Sequence, residues 1–181
     1  MEDVDRAVVA RARRGDQRAF AAVVRHYDAG LRALAYRLLG TRERMDDALQ
    51  EAYVRAFRGL PGFRGNASLG TWLYRIAYNA CVDELRRTPD VVPLELVRDR
   101  PDRRSGPAER VAASGDLAAA LAALAPADRA AVLLVDAQGF DYREAATVLD
   151  IPAGTVASRL NRARAHLRRA LADDTKGAAN R

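Results

Sequence analysis

Apolar residues recur at the three-and-four spacing of a helix face through most of this chain, and a few capping and breaking residues reset the phase. From Asp16, a residue suited to cap a helix, Phe20, Val23, Val24, Tyr27, Leu31, Leu34, Leu38 and Leu39 share one face. That pattern predicts a long amphipathic helix ending near Gly40. A second runs over about 44–58, with Leu49, Ala52, Tyr53, Ala56 and Phe57 inward, and stops at the breaker from Gly59 to Pro61. A third starts near Ser68 and carries Trp72, Leu73, Ile76, Ala77, Ala80 and Leu85 on one side. A short helix is expected before all three, around 4–14.

Residues 89–113 change character: Pro93, Pro101, Gly106 and Pro107 interrupt alternating charges, and no period would bury a face. The segment reads as a flexible linker, and for most of its residues as a solvated tether. Helical signals resume at Leu117, Leu121 and Leu124 and restart after Pro126, a good first-turn residue, with Ala131, Val132, Leu134 and Val135. Gly139 ends that element, and Asp141 followed by Glu144 resembles a capping box opening a short helix over Ala145, Ala146, Val148 and Leu149. After the break at Asp150, Ile151 and Pro152, a last stripe of Val156, Leu160, Ala163, Leu167 and Leu171 appears, with a frayed tail expected from Asp173. No strand-period segment of useful length is present, so the expected fold is all-α: two small helical domains, 1–88 and 114–172, joined by the linker, with a tail at 173–181.

Composition narrows the chemistry. In 181 residues a large multidomain enzyme is excluded, and 49% hydrophobic with 30% charged residues supports packed cores. No apolar run approaches the roughly 18 to 20 residues of a membrane span. Glu2, Asp3 and Asp5 do not begin a signal peptide, so a cytoplasmic protein without membrane insertion is expected. Cys81 is the one cysteine and His26 and His166 are the two histidines, which leaves no metal-ligand cluster and no cofactor expected. Adjacent acids, Asp46 with Asp47 and Asp83 with Glu84, point in different directions on a helix and make no catalytic dyad; no enzyme is expected.

The charge is +6, and Lys176 is the only lysine among 30 basic residues. A high-GC genome and a polyanionic partner both account for so much arginine, so its distribution decides. From Pro152 to Leu171 there is no acid, while Arg159, Arg162, Arg164, Arg168 and Arg169 lie there. A short helix, a tight turn and a basic second helix match a helix-turn-helix, whose second helix enters the major groove; a solvated basic face is the plainer reading of the last helix taken by itself. Thr155, Ala157 and Ser158 are small enough to approach the backbone or bases, and Arg162 can reach a guanine edge. In Phe63 to Asn79, a glycine-bearing loop with Arg64, Asn66 and Ser68 precedes Trp72, Tyr74, Arg75 and Tyr78, a mixture that can stack unpaired bases and hold phosphates; Trp72 reads equally as core.

Together the segments RGDQRAFAAVVRHYDAGLRALAYRLLG, DDALQEAYVRAFRGL, FRGNASLGTWLYRIAYNACVDELRR and LAALAPADRAAVLLVDAQGFDYREAATVLDIPAGTVASRLNRARAHLRRAL resemble an extracytoplasmic-function (ECF) sigma factor of the sigma-70 family over residues 14–172. The resemblance implies a promoter-specificity subunit of bacterial RNA polymerase with regions 2 and 4 only. It implies that Asp46, Asp47, Leu49, Gln50 and Glu51 dock on the clamp helices of the largest subunit. It assigns Arg64, Asn66, Ser68, Trp72, Tyr74, Arg75, Tyr78 and Asn79 to the melted minus-ten element, where unstacking a base costs a few kcal/mol. Thr155, Ala157, Ser158, Arg159, Asn161 and Arg162 would read the minus-thirty-five duplex, and the front of region 4 would meet the flap of the second-largest subunit. Family habit adds an anti-sigma partner. The chain departs from the family with Ala157 where a basic residue is usual, Asn161 where His or an aromatic is frequent, and Asp150 where Gly is usual. The alternative is a conventional helix-turn-helix regulator that binds duplex DNA without polymerase, its first half a sensor.

Overall fold

The computed structural model describes residues 4–87 and 116–178, with side chains to residue 172. The expected linker, 89–113, and the end of the tail lie outside the described residues. All regular structure among the described residues is helical.

Four helices build the N-terminal bundle: α1 (Arg6–Arg13), α2 (Gln17–Leu39), α3 (Arg42–Gly59) and α4 (Leu69–Arg87). Each of the first three starts where a side chain accepts from an otherwise unpaired backbone N–H: Asp5 from Ala7, Asp16 from Ala19 and Thr41 from Arg44. Gly40 ends α2 in the left-handed conformation. The apolar stripe of α2 buries Val23, Tyr27, Leu31, Leu34 and Leu38 against α3 and α4, which supply Leu49, Ala52, Ala56, Leu73, Ala77 and Cys81. Small residues on α3 and α4 let those helices pack closely.

The C-terminal bundle comprises α5 (116–122), α6 (Pro126–Val132), α7 (Tyr142–Leu149) and α8 (Ala153–Ala178). Between α6 and α7 the helix widens into a π turn, Leu133–Ala137, where the periodicity predicts plain helix. The amide of Gln138 donates to the Leu133 carbonyl at 3.0 Å. This wider turn leaves both Leu133 and Leu134 in the core. The capping box is complete: Asp141 accepts from the amide of Glu144, and Glu144 accepts from that of Asp141. Asp150 ends α7 with φ 55°, the left-handed conformation that Asp tolerates and that keeps the turn into α8 tight. Helical backbone continues to Ala178, past the expected limit at residue 172.

The two bundles touch. Helix α4 packs on α7, and α2 meets α6. The guanidinium of Arg129 donates to the carbonyls of Arg37 and Leu38 at the C-terminus of α2, as well as to Ala122 and Leu124 of its own bundle. A cation there meets the negative end of the α2 dipole.

Candidate nucleic-acid interface

Three groups of predicted residues have three different environments. On α3, Asp46, Asp47, Gln50 and Glu51 are exposed, whereas Leu49 is buried. Of these, Asp46, Leu49 and Gln50 line a groove of about 840 Å³ between α2 and α3, whose apolar lining is Phe20, Leu49, Tyr53, Val54 and Phe57. Leu49 is therefore part of the floor. Phe20 and Phe57 pack edge to face at 5.1 Å, which shapes the wall. The hydroxyl of Tyr53 donates to Asp28 at 2.7 Å, and Arg32 donates to Asp46 at 2.6 Å, so polar groups tie α2 to α3 along the same groove. Burial, then the neighbouring Asp28 carboxylate, raises the Tyr53 phenol well above its usual range, keeping it a neutral donor.

The second group surrounds the start of α4. Arg64 and Asn66 are exposed in the loop, and Ser68 caps the helix by accepting from the Thr71 amide at 3.0 Å while pairing with the Thr71 hydroxyl. Trp72 is half-buried, with Phe63 tilted against it at 5.3 Å, and Gly59 passes close beneath its ring. Further along, Tyr74 is 1% exposed and belongs to the core, although its position was expected to face DNA. Its hydroxyl donates to the Gln138 side chain at 2.7 Å, and Phe140 meets its ring edge-on at 4.9 Å. Burial pushes the Tyr74 phenol up to about 12. Arg75 is exposed and pairs with Asp150 at 3.2 Å. Tyr78 is half-buried and its phenol is raised by burial, partly offset by the charge of Arg159; Asn79 is exposed.

The third group lies on α8. Val156, Leu160 and Ala163 are buried, which turns Thr155, Ser158, Asn161 and Arg162 outward to differing degrees; Ala157 and Arg159 are half-buried. The Ser158 hydroxyl donates back to the Thr155 carbonyl. Arg162 forms a two-pronged pair with Asp128 on α6, at 2.9 and 3.1 Å, and Arg164 does the same with Asp136. The Asp128 carboxylate raises the already high Arg162 value, so its charge is secure. Arg162 is thus exposed and correctly charged, but its fork is occupied. Among the described residues no cluster of His, Cys, Asp or Glu could hold a metal.

Sequence reasoning missed the residues that join the bundles: Arg129, Gln138, Phe140 and Asp150. One signal was available. Gly30 lies inside α2, where glycine is unfavourable, and a β-carbon there would stand 2.0 Å from the Tyr74 hydroxyl and 2.6 Å from the Gln138 side chain.

Comparison with known proteins gives the same two-part division. Residues 23–89 match the family model for sigma-70 region 2, and residues 114–167 match that for sigma-70 region 4. The chain is 41% identical over 159 residues to the ECF RNA polymerase sigma factor SigM of Mycobacterium tuberculosis, covering 87% of this chain and 79% of that one. It is 31% identical to the ECF RNA polymerase sigma-E factor of Escherichia coli, over 88% and 90% of the two chains. Among solved structures, CnrH in complex with the cytosolic domain of CnrY superposes with a TM-score of 0.72 at 28% identity, covering 95% of this chain and 99% of that one. The sigma factor RpoE in complex with the anti-sigma factor NepR, from Bartonella quintana, gives 0.71 at 26% identity, with 84% and 96% covered.

Proposed function

Because this chain belongs to the extracytoplasmic-function sigma factors of the sigma-70 family, we propose that it binds bacterial core RNA polymerase and directs promoter recognition, melting and initiation through three separate surfaces. The observation that carries this reading is the reach of the likeness: 41% identity over 87% of the chain retains both bundles in order. A conventional duplex-binding regulator would not need a region 2 bundle, so that alternative is set aside.

The α2–α3 groove takes a clamp helix of the largest subunit. Its apolar floor suits the buried face of a helix, Asp46 and Gln50 line it, and Asp47 and Glu51 are exposed on the same helix as further polar groups that set register. The loop carrying Arg64, Asn66 and Ser68 captures a flipped base of the minus-ten element, with Trp72 at its edge and Arg75, Tyr78 and Asn79 following along α4, while Tyr74 stays in the core. Helix α8 lies in the major groove of the minus-thirty-five element, where Thr155, Ala157, Ser158, Arg159 and Asn161 approach the duplex. Arg162 exchanges Asp128 for a base edge. The front of the C-terminal bundle meets the flap of the second-largest subunit. An anti-sigma protein is a further partner, in keeping with the NepR complex of the similar RpoE. The protein works in the cytoplasm as a binding factor with no catalytic site; among the described residues no helix is long and apolar enough to cross a membrane.

Reconstitution of the purified chain with sigma-free core polymerase, followed by sequencing of RNA 5′ ends from a genomic template library, tests this function. New starts sharing upstream elements are expected. Duplex binding by the chain without polymerase, together with no specific starts, would replace this reading by the regulator.

A further inference from the structure

We propose that Asn161 makes this chain select an A·T pair in the minus-thirty-five duplex, its carboxamide reading adenine beside the guanine read by Arg162. The inference deepens the functional reading above and rests on it, since it concerns the same face of α8. Val156, Leu160 and Ala163 fix that face by turning into the core. Asn161 follows Leu160 directly and is exposed, and its side chain bonds to no other described residue. Its neighbours are committed: the Ser158 hydroxyl donates to the Thr155 carbonyl at 2.9 Å, and the Arg162 fork is held by Asp128 at 2.9 and 3.1 Å.

A free carboxamide on this surface has a specific use. It presents one acceptor and one donor side by side, the complement of the adenine N6 and N7 edge, whereas guanine shows two acceptors there and matches a guanidinium. Being neutral, it gains less from a phosphate than the arginines of α8 do. The surface beneath it is also open. A helical side chain leans toward the N-terminus and covers the turn before its own Cα, which for Asn161 is the turn holding Ala157. Only a methyl group stands at that position, so the amide plane can lie against a base edge, and the methyl itself suits an apolar contact with thymine. A helix rises about 1.5 Å per residue against about 3.4 Å per base pair, so Asn161 and Arg162, consecutive in the chain, address neighbouring steps.

Holoenzyme assembled from the full chain and core polymerase, transcribing a promoter library randomised over the minus-thirty-five element, reads this choice through sequencing of the RNA. The parent should favour A·T about tenfold over the other pairs at one position adjoining its preferred guanine, the discrimination of one two-pronged base contact. Asn161→Ala should reduce that preference to within about twofold and leave the guanine preference in place. Arg162→Ala should do the reverse. Asn161→Asp, which exchanges the donor for a second acceptor, should shift the choice from adenine toward cytosine, whose N4 group donates. Each Asn161 variant should keep its helical circular dichroism and its polymerase binding, because the side chain is exposed. Loss of helicity would make Asn161 structural and overturn the inference. So would an A·T preference retained in Asn161→Ala, or a fall of equal size across the whole library, the mark of a phosphate contact. Specific starts whose base preferences ignore Asn161 overturn only this inference, whereas no specific initiation by the parent overturns the functional reading as well.

Discussion

The two helices proposed to read DNA are both occupied in this structure, but by different kinds of neighbour. On α8 the occupants come from the same bundle: Asp128 holds Arg162 and Asp136 holds Arg164. On α4 they come from the other bundle: Gln138, Phe140 and Asp150. The α4 contacts therefore depend on how the two bundles sit, whereas the α8 pairs lie within one bundle. In the proposed function Arg162 exchanges a carboxylate for DNA, a local exchange for which its charge and fork are already oriented. Access to one helix is thus a question of domain position, and access to the other a local competition.

The comparison breaks most severely at Tyr74. Tyr74→Ala removes a ring that is 1% exposed and packs against both bundles, and should cost about 3–5 kcal/mol in urea denaturation. Ser158→Ala on the outer side of α8 should stay within about 0.5 kcal/mol of the parent. Equal midpoints for the two would mean that α4 and α8 are equally superficial.

A smaller effect sharpens the α8 side. Arg162→Ala should lower initiation at mapped promoters on the order of tenfold, the discrimination of one two-pronged base contact, with polymerase binding intact. Asp128→Ala, which frees the same guanidinium, should keep initiation within about twofold of the parent, because the guanidinium left behind is solvent-exposed and keeps its charge. Parallel loss of polymerase binding in Arg162→Ala would make the pair structural. Next in size, Asp141→Ala removes the side-chain half of the α7 capping box and should cost about 1 kcal/mol. Amide exchange should show faster opening of α7 with α2 and α3 unchanged; loss of protection throughout would mean that the bundles unfold as one unit.

A further effect, confined to high pH, belongs to the alkaline edge. Between pH 10 and about 12 the unfolded chain has released the Tyr74 proton that the folded chain retains, so stability falls as pH rises through that window and is complete below it. Tyr74→Phe should flatten this part of the denaturation profile. An unchanged slope would assign the loss to other phenols such as Tyr53.

The helices, the caps at Asp16 and Asp141, the all-α class and the turn at Asp150 were legible in the sequence, because each depends on neighbours within a few residues: a periodic stripe, an N-terminal acceptor, a residue that tolerates left-handed backbone. The family resemblance was legible for the same reason, being carried by short contiguous motifs. The π turn was not, since Leu133 and Leu134 fit a normal helix until the core demands both. Nor was the occupation of Arg162 by an acid 34 positions earlier in the chain. Tyr74 shows the division most clearly. Its place among Trp72, Arg75 and Tyr78 suggested a surface for bases, and only the approach of Gln138, 64 residues away, over the bare backbone of Gly30 decided that it is buried. Local sequence sets backbone conformation and the composition of each face; which faces meet depends on shape and on the pairing of polar groups far apart in the chain, and these exist only once the bundles are assembled.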